Sequence, residues 1–129
     1  MLNIHIPSEN HMLSKLLNQS LIILTSCVLI SACGGNKKNI SMKLHSDPLG
    51  AYALMQVKYK GDENPEWIFL GPTPVIINKK VVMDGATSVS LRVIRPGFFE
   101  QVKTWKAKDF LKEQRKNKSI VWVPSMVKQ

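Results

Sequence analysis

The sequence predicts an all-β domain of about six to seven short strands, with one short surface helix near the C-terminus. Three observations carry this. From residue 40 onward, short apolar runs are punctuated by Gly, Pro and Asp turn signals. Several runs alternate apolar and polar residues, the period of a half-buried strand. One late segment, Ala107 to Asn117, loses that alternation and becomes densely charged.

Ile40-Ser41-Met42-Lys43-Leu44-His45 alternates strictly, so Ile40, Met42 and Leu44 share a face. Asp47-Pro48-Leu49-Gly50 has the residue preferences of a type I turn. Ala51 to Tyr59 follows as a strand with Ala53, Met55, Val57 and Tyr59 on one side. Lys60 to Pro65 is a polar loop, and Trp67 to Leu70 a short strand stopped by Gly71-Pro72-Thr73-Pro74. Val75 to Val82 reads as a strand interrupted around Asn78-Lys79-Lys80, and Asp84-Gly85 is a hairpin-type turn signal. Thr87 to Ile94 alternates most cleanly, with Val89, Leu91 and Val93 inward and Ser88, Ser90 and Arg92 outward. Arg95-Pro96-Gly97 suits a type II turn that leads into a partner strand, Phe98 to Trp105. Between there and a last strand at Ile120 to Val123, Asp109 is placed to cap a helix with Phe110, Leu111 and Gln114 on one narrow face. A charged loop is the alternative.

The N-terminus carries a different message. Leu21 to Ile30 is about ten mostly apolar residues, the length of a secretory h-region, whereas a membrane-spanning helix needs roughly 20. Lys15 is the positive charge before it, and either Met1 or Met12 can be the start. The run ends in Ile30-Ser31-Ala32-Cys33, which resembles the lipobox of bacterial lipoproteins: an aliphatic residue, two small residues and a cysteine. The resemblance implies a signal peptide over residues 1–32 and a diacylglyceryl and acyl (palmitate-type) anchor on Cys33. Residues 33–39 then form a flexible tether, and 40–129 the domain. Each buried CH2 adds about 0.8 kcal/mol, so two or three chains hold a protein on a membrane. The competing reading is a transmembrane helix with a chance cysteine. Gly34 stands where an aspartate would favour the inner membrane of a Gram-negative cell. The expected location is therefore the outer membrane, facing the periplasm or the cell surface, with a Gram-positive host as the alternative.

Removing 32 residues from 129 leaves 129 − 32 = 97, enough for one small domain. Cys27 leaves with the signal and Cys33 is consumed by lipid. That excludes a disulfide, a thiolate metal site and a cysteine nucleophile from the mature domain. Its Lys+Arg minus Asp+Glu balance is 17 − 8 = +9. An exported cation of this kind meets anionic lipid head groups, lipopolysaccharide or wall polymers, and no nucleic acid.

Three turns together suggest a family. Ser46-Asp47-Pro48-Leu49-Gly50-Ala51, then Leu70-Gly71-Pro72-Thr73-Pro74, then Arg95-Pro96-Gly97-Phe98 keep the order and approximate spacing of the PEGA domain over residues 40–105. The chain resembles that family, with Leu49 in place of its glutamate, a longer loop at Lys60–Glu66 and a tail from Lys106 outside the repeat unit. The resemblance implies a small β-sandwich that serves as a binding or spacer module in envelope proteins.

Catalytic chemistry is thinly represented. His45 is the one histidine of the mature chain, and zinc wants three or four ligands. Asp62, Glu63 and Glu66 cluster without the spacing of a calcium loop. The expectation is a non-enzyme with no metal and no cofactor. The candidate binding residues are the aromatics Trp67 and Phe99 and the cations Lys108, Lys112, Arg115 and Lys116. They fit two functions: a lipid-anchored interaction or scaffold module with an envelope protein as partner, or a module that binds an anionic or glycan polymer through a basic and aromatic face.

Overall fold

Alternating side chains give a strand one wet and one dry face, and here two sets of such strands bury their dry faces against each other. A computed structural model describes residues 35–129. The expected signal segment, residues 1–32, and Cys33 lie outside those described residues. Strands β1 (Lys37–Leu44), β2 (Tyr52–Tyr59), β3 (Ile68–Pro72), β4 (Val75–Val82), β5 (Ala86–Ile94) and β6 (Gln101–Lys106) are followed by helix α1 (Ala107–Asn117) and strand β7 (Ile120–Trp122). One sheet has the order β4-β1-β7 and the other β3-β2-β5-β6. All neighbours are antiparallel except β1 and β7. The fold is a small all-β sandwich with a single short helix, as the sequence predicts.

The main core draws on both sheets: Ile40, Met42 and Leu44 from β1, Met55 from β2, Val89 and Leu91 from β5, and Ile120 from β7, together with Phe110 of the helix. A smaller cluster of Ala51, Val93 and Met126, with Phe98 and Trp122 packed against it, extends the core toward one end. Trp105 is buried edge-on to Phe110, with ring centroids 5.5 Å apart, and its indole N–H donates to Glu113 at 2.8 Å. Helix α1 packs against β5, β6 and β7.

Several local expectations change. Strand β1 begins at Lys37, opposite Val82, so Lys37–Asn39 belong to the sheet and not to the tether. Strand β4 runs unbroken through Asn78-Lys79-Lys80, because each of those residues pairs with β1, at Ser41, Ile40 and Asn39. Asp84-Gly85 closes a tight turn, Ala86 N–H donating to the Met83 carbonyl at 3.1 Å. It joins two different sheets, however, rather than a hairpin. Strand β6 starts at Gln101, three residues later than expected, because the Phe99 N–H is taken by the Val127 carbonyl at 2.8 Å. Asp109 lies inside the first turn of α1, and the N-cap position is Lys106, without a side-chain cap.

The Asp47–Gly50 segment also departs from a type I turn. The Asp47 carbonyl accepts from Met126 N–H at 2.8 Å, and Gly50 N–H donates to Thr73 at 3.3 Å. Arg95–Phe98 is the type II turn foreseen: Phe98 N–H donates to the Arg95 carbonyl at 3.1 Å, and Gly97 takes φ 82°.

Candidate functional site

The strand registers order the outward side chains of the four-stranded sheet into rows. The first row pairs Tyr52 with Ile94. In the second, Phe69, Leu54, Arg92 and Val102 stand side by side across all four strands. Gln56, Ser90 and Thr104 make the third row, and Lys58, Ser88 and Lys106 the fourth. One sheet face therefore grades from aromatic and aliphatic at one end, through hydroxyl and amide, to cationic at the other.

The apolar rows are open to solvent. Tyr52 is 49% exposed, Phe69 60% and Val102 49%. Tyr52 and Phe69 rings lie 6.0 Å apart at a 46° tilt. Leu49 and Phe99, both about half exposed, stand among the turns at this end, where the Arg95 guanidinium donates to the Leu49 carbonyl. Bare apolar area on adjacent strands is costly to leave in water, at about 25 cal/mol per Å2, and such clustering marks contact surfaces.

Trp67 belongs to this face. The Arg92 guanidinium lies 5.4 Å from its ring centroid and pairs on its other side with Glu100. The Pro65 carbonyl accepts from Gln56 Nε2 at 2.7 Å, which folds the loop before Trp67 onto the sheet. Trp67 is thus half-buried by Arg92, a contact worth about 0.5–1 kcal/mol at an exposed site. Phe98 is half-buried under Arg95, whereas its neighbour Phe99 is exposed.

The cations foreseen at the C-terminal third form a second surface. Lys108, Lys112 and Lys116 recur every four residues on α1, with Arg115 beside them, and all four are exposed. Ala107 and Phe110 occupy the buried side. Arg115 and Lys116 lie in the last turn, where the helix dipole favours positive charge. Among the described residues the one ion pair is Arg92–Glu100, so none of these four cations is held in an ion pair, with Asp109 and Glu113 the acids on the same helix. The structure therefore brings the four cations together on one helix but leaves Trp67 and Phe99 on other elements.

Sequence reasoning missed Tyr52, Leu54 and Val102, and Phe69, an aromatic at a strand position expected in the core, is exposed instead. The outward positions of a strand were readable for β2, but which of them align across four strands is set by register alone. It also missed a shallow groove of about 460 Å3 on the three-stranded sheet, lined by Lys43, His45, Pro74, Ile76, Val121 and Val123. His45 sits at its rim and is exposed. Among the described residues no three His, Cys, Asp or Glu side chains gather closely enough to hold a metal.

The turn residues behind the family resemblance meet in space. Ser46 and Thr73 hydroxyls lie 2.5 Å apart and buried, Thr73 Oγ1 accepts from Ala51 N–H at 3.0 Å, and Thr73 N–H donates to the Ala51 carbonyl at 2.7 Å. Their role is to lock two turns to each other. No family model, curated protein or solved structure matches the chain. No helix among the described residues is long and apolar enough to cross a membrane.

Proposed function

We propose that the chain is a PEGA-like lipoprotein, held on a membrane through Cys33, whose domain is a non-enzymatic interaction or scaffold module of the bacterial envelope. The outer membrane, with the domain facing the periplasm or cell surface, is the location this reading assigns. The observation that carries the interaction role is the apolar end of the four-stranded sheet, where Tyr52, Phe69 and Val102 stand exposed in adjacent rows. Aromatic and aliphatic groups on a rigid sheet are already ordered, so a protein partner that covers them loses little conformational entropy.

The test is site-specific photo-crosslinking in living cells from position 69, with the exposed position 78 as a control on the other sheet. A discrete protein adduct from 69 alone, abolished by Val102→Asp, supports the reading. Adducts of equal yield from both positions would sink it.

A second reading has its own observation. The stripe of Lys108, Lys112, Arg115 and Lys116 suits an anionic or glycan polymer of the wall or of lipopolysaccharide. It lacks the flanking aromatic surface that sugar stacking would use, since Trp67 and Phe99 stand elsewhere. Retention on such a polymer that is lost with salt and on reversing Lys112, Arg115 and Lys116 would favour it.

A further inference from the structure

We infer that the basic end of the domain is a docking surface for an anionic lipid bilayer, which holds the sandwich upright with its apolar rows turned away from the membrane. This rests on the reading that Cys33 carries the lipid.

The chain joins the fold at this end. Lys37 pairs with Val82, Asn36 N–H donates to the Asp84 carboxylate at 3.2 Å, and Tyr59 donates its hydroxyl to the Val82 carbonyl at 2.7 Å. The cationic row Lys58–Ser88–Lys106 of the other sheet ends here too, because Tyr59 pairs with Ala86 just beyond it. Helix α1 starts directly after Lys106. It returns against β1, where Lys38, Asn39 and Ile40 share a cleft with Leu111, Gln114 and Arg115. The helix stripe thus starts at the end where the chain joins the sheet and runs back along β1, with Arg115 beside Lys38 and Asn39, until Ser119 meets Ser41 midway along that strand. Asp62, Glu63, Asp84 and Asp109 also lie toward this end but are outnumbered by the cations, and none of them forms an ion pair with a lysine or arginine.

Reach then decides the matter. Because β1 begins at Lys37, four residue steps separate it from Cys33. An extended chain spans at most ~3.6 Å per residue, so Lys37 stays within about 14 Å of the anchored sulfur. A tether running to residue 39 would have allowed more. That ceiling exceeds the Debye length of about 8 Å at physiological salt, so head-group charge acts on these cations when the short tether is not fully drawn out. Three residues of tether are also too few to let the domain turn its opposite end to the bilayer. Anionic head groups are the occupant that charge and distance both select.

The test uses the full mature chain, purified with whatever anchor it carries and inserted into vesicles of phosphatidylcholine, alone or mixed with phosphatidylglycerol. Fluorophores are placed at Asn117→Cys and at Val127→Cys, and the lipids carry a head-group quencher. The expected result is strong quenching at 117 that grows with anionic lipid and falls with salt, and weak quenching at 127 in both lipids. Reversing Lys112, Arg115 and Lys116 to Glu should lower the anionic-lipid effect at least roughly tenfold, given the attraction per basic residue near such a surface. Lys43→Glu, which changes charge on the other sheet, should leave it unchanged. Equal quenching at 117 and 127, or indifference at 117 to lipid charge, would overturn the inference. Intact mass reads the anchor separately. A chain without acyl groups on Cys33 refutes lipidation, while co-sedimentation of that same chain with anionic vesicles still decides whether the basic end binds them.

Discussion

The turn end and the basic end of the sandwich close the same core by different means. At the turn end the chain reverses through Ser46–Ala51, Gly71–Pro74 and Arg95–Phe98, and polar contacts hold the reversals together. Ser46 and Thr73 are 27 residues apart in sequence yet share a buried hydrogen bond, and the tail reaches back through Met126 N–H to the Asp47 carbonyl. At the basic end buried apolar packing is joined to fewer polar contacts, such as the Tyr59 hydroxyl on the Val82 carbonyl: Phe110 is fully buried edge-on to Trp105, and Ala107 lies beneath the first turn of α1. The outward surfaces are reversed with respect to these interiors. The end locked by hydroxyls shows water Tyr52, Phe69, Leu49 and Phe99, whereas the end locked by aromatics shows it lysines. Stability and surface character are therefore carried by different residues, and substitution can separate them.

The largest effect expected from breaking this division is at Phe110. Phe110→Ala leaves a cavity under the helix and should lower the unfolding free energy by about 3–5 kcal/mol in urea titration. Thr73→Val strikes the turn end instead. It leaves Ala51 N–H without a partner and takes one of two partners from the Ser46 hydroxyl, which still donates to the Pro48 carbonyl, so a loss of about 1–3 kcal/mol is expected. If Thr73→Val proved neutral, the polar lock would not be what holds that end. Glu113→Ala removes the acceptor of the Trp105 indole and should cost about 1 kcal/mol, with a change in tryptophan emission. Smallest of all, Phe69→Ser and Val102→Ser act on exposed positions and should alter stability by no more than about 0.5 kcal/mol. The same two substitutions should nevertheless abolish protein capture from the neighbouring face.

Much of the fold was legible where a strand is buried on one side. Ala53, Met55 and Val57, and again Val89, Leu91 and Val93, are buried as their alternation requires. The Arg95–Phe98 turn was legible because proline and glycine fix its backbone locally. What escaped was set by partners distant in sequence. Asn78-Lys79-Lys80 look like a strand break, yet they lie in an edge strand whose order comes from pairing with β1. Asp84-Gly85 announces a tight turn but not which sheets it joins. Phe98 and Phe99 read as strand, but their backbones are claimed by the type II turn and by the C-terminal tail.

The candidate site divides along the same line. The stripe Lys108, Lys112, Arg115 and Lys116 follows from helical spacing and could be read residue by residue. The aligned row of Phe69, Leu54, Arg92 and Val102 joins segments from four strands, and only register brings it into being. Trp67 was singled out for its chemistry, but its half-buried state depends on Arg92, 25 residues further along the chain.

The most direct test of the division between the two ends is a paired photo-crosslinking experiment in living cells, with one probe at position 69 and one at position 112. The account predicts a discrete protein adduct from 69 and predominantly lipid adducts from 112. Capture of the same material in the same yield from both positions would contradict it, because it would mean that the two ends do not face different surroundings.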